Sequence, residues 1–140
     1  MISSTVMRFV VALSVSGIAA MVEVAIAAKY TAPASEVAML PQFCWAQYMD
    51  NVSGPQYTIH DCGVFTNHYC PALLELQRAN KAFGTKKRGE RVQHLQVAKK
   101  ETLYTLNGIK DYPNCHIRQH VETTLKEVNT LLNIYGQQHK

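Results

Sequence analysis

Charge is scarce in this chain. Asp, Glu, Lys and Arg together make up 17% of its 140 residues, and the formal net charge is +4. A surplus that small and that scattered leaves no electrostatic footprint for nucleic acid. The densest basic run, "KKRGER" at residues 86–91, contains a glutamate. It reads first as a solvated loop, with phosphate or anion binding as its other reading. A convincing strand pattern, a low-complexity tract and an internal repeat are also missing. No motif flanks any cysteine in the way a nucleophile would require. With no catalytic constellation, the expectation is a protein that is not an enzyme and that needs no cofactor.

What is present begins with an apolar leader. Arg8 supplies one positive charge, residues 9–20 are apolar and small, and Ala25 and Ala27 are the small residues a signal peptidase inspects. Residues 1–27 therefore read as a secretory signal peptide. Their length would also suit a retained membrane anchor, but Glu23 argues against one, since a carboxylate is costly in hydrocarbon. After cleavage no membrane association is expected. Residues 28–140 are then a single domain in the periplasm or outside the cell. All four cysteines, Cys44, Cys62, Cys70 and Cys115, lie in that part, and an even number in a short exported chain reads as two disulfides.

The periodicities are helical throughout. Ser35 can cap a short turn through "EVAML", and Pro41 interrupts it. Pro41 suits the first position of a helix over "PQFCWAQYM". "DNVSGPQY" is a loop. A second helix should begin near residues 62–66 and end at Phe83, with Leu73, Leu74, Leu76, Ala79, Ala82 and Phe83 on its apolar face and Gly84 as its stop. A third spans 90–107, with Val92, Leu95, Ala98, Thr102, Leu103 and Leu106 recurring at steps of three and four. A fourth carries Ile117, Val121, Leu125, Val128, Leu132 and Tyr135, with Asn114 as its cap and Gly136 just past its end. The expected fold is all-α, with about four helices arranged as antiparallel hairpins and cross-linked by two disulfides.

"IHDCGVFTNHYCP", residues 59–71, places His60, Cys62, His68 and Cys70 close together. Zinc wants four nitrogen or sulfur ligands in a tetrahedron, and an exported metal carrier built on these four residues is the alternative to disulfides. Within this stretch, however, neither Cys-x-x-Cys nor His-x-x-x-His spacing occurs, and residues two apart on a helix diverge. If Cys62 and Cys70 share a helix they stand about 12 Å apart and cannot bond each other. Two pairings remain: Cys44–Cys70 with Cys62–Cys115, or Cys44–Cys62 with Cys70–Cys115. The first is preferred because it ties the early helix to the second and the second to the start of the last. "YPNCH" offers half of a haem-attachment motif, Cys115-His116, with Tyr112 where the first cysteine belongs. The aromatics are spread through the helices as core residues are. Trp45, Tyr48 and Tyr57, beside the loop at 51–57, are the candidate interaction surface.

"LPQFCW", "NHYCPALLELQRA" and "DYPNC" together resemble small exported bacterial proteins with tetratricopeptide-like helical hairpins. The resemblance implies a TPR-like hairpin fold and an oxidising compartment, with Cys44 and Cys70 as the shared pair and Cys62 and Cys115 as an extra one. It implies no activity. The functional expectation is an adaptor, accessory or self-assembling structural subunit that acts through protein–protein contact or self-association. A metal- or haem-binding carrier is the alternative.

Overall fold

The computed structural model describes residues 31–136, the side chain of Thr85 excepted. The leader at residues 1–27 lies outside the described residues. Four α-helices follow one another: α1 (Ala34–Val37), α2 (Tyr69–Lys81), α3 (Arg88–Gly108) and α4 (Arg118–Gly136). Short 3₁₀ turns punctuate them at Gln42–Gln47, Pro55–Tyr57, Val64–His68 and Thr85–Lys87. No strand occurs among the described residues, and no described helix is long and apolar enough to cross a membrane.

Side-chain pairs set the direction of the three long helices. Arg88, at the start of α3, donates to the Tyr135 carbonyl at the end of α4. His68, just before α2, meets Glu101 in the second half of α3, and Glu75 of α2 meets His94 of α3. Neighbouring helices are therefore antiparallel, and α3 packs against both α2 and α4. Leu76, Ala79, Leu95, Ala98 and Val128 form one apolar cluster that closes the three. The Tyr69 and Thr124 hydroxyls, 3.0 Å apart, link α2 to α4 directly.

The buried stripe of α3 is Arg91, Leu95, Ala98, Thr102 and Thr105, at steps of four and three. Two threonines can sit at 0% exposure because each hydroxyl donates back to a carbonyl one turn earlier, Ala98 at 2.7 Å and Glu101 at 3.0 Å. Neither threonine hydroxyl is left unsatisfied. Pro71 is accommodated inside α2 because it falls in the first turn, where amide donors have no helical acceptor.

Several expected boundaries and faces move. "PQFCWAQYM" is a 3₁₀ turn rather than a helix, with Pro41 just before it. It is too short to offset helix nucleation, and Trp45 Nε1 donates to the Leu40 carbonyl at 3.0 Å, drawing the indole back over the preceding turn. Ser35 lies inside α1 and makes no cap bond. α2 ends at Lys81, so Phe83 falls beyond it in a turn closed by Gly84 at φ +90°. Phe83 is 74% exposed instead of facing the core. Leu103 is likewise exposed. Asn114 is exposed in the α3–α4 connection, which is held instead by Arg118 donating to the carbonyls of Ile109 (2.5 Å) and Tyr112 (3.1 Å).

The cysteines pair as Cys44–Cys70 and Cys62–Cys115. The first lies in a cluster with Leu40 and Leu74, the second in one with Tyr69, Ala72, Ile109, Ile117 and Val121. Such bonds fit an oxidising compartment. They close sequence separations of 26 and 53 residues, which on a chain-entropy account stabilises the fold by about 3.5 and about 4 kcal/mol. The double variants Cys44→Ala/Cys70→Ala and Cys62→Ala/Cys115→Ala should each lose about 3–4 kcal/mol in urea denaturation. A loss below about 1 kcal/mol for either would mean that packing alone holds its loop.

Burial raises the Tyr69 pKa above its ordinary 10.0; the bond to Thr124 opposes this shift and the Glu127 charge adds to it. The unfolded chain therefore ionises first. The contribution of Tyr69 is complete below the unfolded value and is lost as pH rises through the folded one. Tyr69→Phe should lose about 1 kcal/mol near neutrality yet decline less steeply than the parent in melts taken above pH ~10.

Candidate functional site

The four residues of the sequence cluster are not brought together as ligands. Cys62 and Cys70 belong to different disulfides, so neither sulfur is a thiolate able to hold metal. His60 is exposed, with Nε2 2.7 Å from the Thr58 hydroxyl and 3.2 Å from the Pro55 carbonyl. His68 points into the α2–α3 seam, where its Nδ1 donates to Glu101 Oε2 at 2.5 Å. Among the described residues no group of three or more His, Cys, Asp or Glu could hold a metal. Cys115 is likewise consumed by its disulfide, which removes the thiol that haem attachment needs. His116 Nδ1 donates to the His60 carbonyl at 2.9 Å, pinning the two halves of this disulfide-linked corner. His116 and His120 stand four apart, a helical ligand spacing that the sequence reading passed over, but His116 precedes α4 and already has that partner.

Trp45, Tyr48 and Tyr57 are all half-buried rather than displayed. Trp45 stacks on Tyr57 with ring centroids 6.0 Å apart, and Trp45 and Tyr48 pack on the cluster around the Cys44–Cys70 bond. They form the cover of that disulfide.

A polar seam joins α2 to α3 and to α1. Glu75 accepts from His94 Nδ1 (2.6 Å) on one oxygen and from Arg78 Nη1 (2.7 Å) on the other. Arg78 also grips Glu36 of α1 through Nε (3.0 Å) and Nη2 (2.9 Å). Burial works against the Arg78 charge, but the bonds to Glu36 and Glu75 outweigh it and hold its pKa above the ordinary value. A cleft of ≈ 270 Å³ opens on this seam, lined by His68, Glu75, Arg78 and Glu101 among others. These four charged or ionisable side chains are committed to one another in pairs, His68 with Glu101 and Arg78 with Glu75. The arrangement serves docking and register.

The larger opening is at the C-terminal end of α3. A groove of ≈ 460 Å³ is lined by Phe65, Tyr104, Asn107, Gly108, Lys110 and Asp111. Phe65 and Tyr104 meet at 5.9 Å between centroids, and the His68 ring centroid lies 4.0 Å from that of Tyr104. Tyr104 is 47% exposed and Val64, beside Phe65, 80%. Tyr112 is exposed as well and lies across Gly63. Two glycines make this surface possible. Gly63 has φ +70°, and any side chain there would collide with the Tyr112 ring; a side chain at Gly108 would collide with Phe65. The spread of aromatics along the chain reads as core, and that reading fails here. The available signal was angular. At about 100° per residue, position 104 lies opposite position 95 on α3, so Leu95 and Tyr104 cannot both face inward.

No protein-family model, no curated protein and no solved structure matches this chain.

Gly108→Ala should push Phe65 off α3 and cost about 1–3 kcal/mol, as overpacking does. Thermal melts of the variant give the loss, and shifts of the assigned Phe65 and Tyr104 ring resonances in NMR spectra report the displaced ring. An unchanged melt would show that Phe65 moves aside freely.

Proposed function

We propose that this is an exported, disulfide-stabilised helical protein that acts by contact with another protein chain, as an adaptor, an accessory subunit or a self-assembling structural subunit. The observation that carries this reading is the aromatic groove around Phe65 and Tyr104. A small domain leaves a cluster of large apolar side chains in water when something covers it, and aromatic anchors beside a polar rim are the usual make-up of a protein contact. Here the rim is Asn107, Lys110 and Asp111. Two disulfides suit a protein that works outside the reducing cytoplasm, and the reading includes removal of residues 1–27 and residence in the periplasm or beyond it. Tetratricopeptide-like stacking of the α2–α3–α4 hairpins is part of the same reading. A solenoid of so few helices leaves its terminal faces uncovered.

Size-exclusion chromatography with multi-angle scattering, on protein purified with and without prior incubation in an extract of its own compartment, tests this. The parent should run as an oligomer or retain a partner. Val64→Lys/Tyr104→Gln, at exposed positions, should be monomeric and empty while melting within about 1 kcal/mol of the parent. A parent that is strictly monomeric and retains nothing would remove the reading.

A further inference from the structure

We propose that the end of the bundle where α3 begins and α4 ends binds a phosphate-class oxyanion through the guanidinium of Arg91. Of the described arginines, Arg78 bonds Glu36 and Glu75, Arg88 bonds the Tyr135 carbonyl, and Arg118 bonds the carbonyls of the α3–α4 connection. Arg91 is the exception. It is only 8% exposed, its Nε is sealed from solvent with no acceptor, and none of its nitrogens has a partner among the described residues. Its guanidinium carbon lies 4.3 Å from the Tyr135 ring centroid and 5.3 Å from that of Phe83.

Aromatic rings satisfy the charge of a guanidinium through its faces. They leave its in-plane donors free for another partner: Nε–H is buried without an acceptor, which is costly, and the two terminal nitrogens remain open to solvent. The nearby carbonyl that could have served, that of Tyr135, is taken by Arg88. Nor does a carboxylate among the described residues supply the balance. α4 carries no acidic residue beyond Glu127 in its described part, α2 ends in Lys81, and Glu90 is the one acid in the first turn of α3, with His94 Nε2 3.9 Å away. Lys86 and Lys87 stand exposed on the preceding turn. The N-terminus of α3, twenty-one residues long, has no side-chain cap, and Glu90 is the one acid in its first turn. A planar fork of donors held against two aromatic rings, with two exposed lysines on the turn that precedes its helix, matches the oxygens of a phosphate group in two-point contact. "KKRGER", a solvated loop on its face, then has its last residue as the anchor of a site and its two lysines as the rim.

Inorganic phosphate is the probe. It is titrated against the oxidised protein at constant ionic strength, with sodium chloride as the balancing salt and the melting temperature as readout. Phosphate should raise the melting temperature saturably beyond the chloride reference. Arg91→Gln should weaken the apparent affinity by about tenfold or more, and Lys86→Gln/Lys87→Gln by about threefold. Lys99→Gln/Lys100→Gln, which removes the same charge elsewhere on α3, should leave it unchanged. The lysine pair is exposed, so that comparison stands even if Arg91→Gln does not fold. A response to phosphate no larger than to chloride, or one that the Lys86/Lys87 and Lys99/Lys100 variants lose equally, would overturn the proposal. Sedimentation with phosphatidic acid vesicles against phosphatidylcholine vesicles then separates a lipid headgroup from a soluble phosphate ligand.

Discussion

The short stretch from Cys62 to Cys70 carries the whole arrangement. One cysteine stands on each side of a 3₁₀ turn, and each is bonded to a distant part of the chain. Before α2 the described chain has only helical elements of six residues or fewer, which have too few internal bonds to persist alone. Cys44–Cys70 fastens that region to α2, and Val37, Leu40 and Trp45 can then pack where they do. Cys62–Cys115 fastens the entry of α2 to the entry of α4, two points that α3 separates in sequence by its full length. The helices supply apolar faces, and the disulfides determine which faces meet.

α3 is the middle member of the bundle and shows how a helix divides its labour by angle. Its inner stripe runs from Arg91 to Thr105. The flank toward α2 carries His94 and Glu101, whose partners Glu75 and His68 set the register of that hairpin. The remaining side holds Tyr104 and Leu103 in water. The polar seam is ordered because each group answers another, and Glu75 uses both oxygens to do so. Such half-buried charged bonds add little net stability once desolvation is counted, but a slipped register would leave several of them unanswered at once.

The two ends of α3 each present a feature that is not balanced internally. At its C-terminal end, aromatic rings lie over glycines and face solvent. At its N-terminal end, Arg91 is enclosed by rings and lacks an acceptor. An exposed aromatic groove and a cation without an acceptor are features expected where a molecule makes contact with something else.

The all-α class, the hairpin order and α4 from Ile117 to Tyr135 were legible in the sequence, because a repeat of three and four is a local property of a helix with one dry face. The preferred cysteine pairing is the one observed, but Cys62 lies in a bend ahead of a 3₁₀ turn and not on the helix of Cys70, so it was the tie between early segment, second helix and last helix that held, not the spacing along a shared helix. Three things were decided only by the tertiary structure. Phe83 became a surface ring over Arg91 because α2 ended at Lys81. His68 and His94 became seam residues because carboxylates stood across from them on a neighbouring helix. Phe65 and Tyr104 met because Gly108 let two elements approach. Each depends on what a second element places opposite a side chain, and composition and periodicity along one element carry no information about its neighbour.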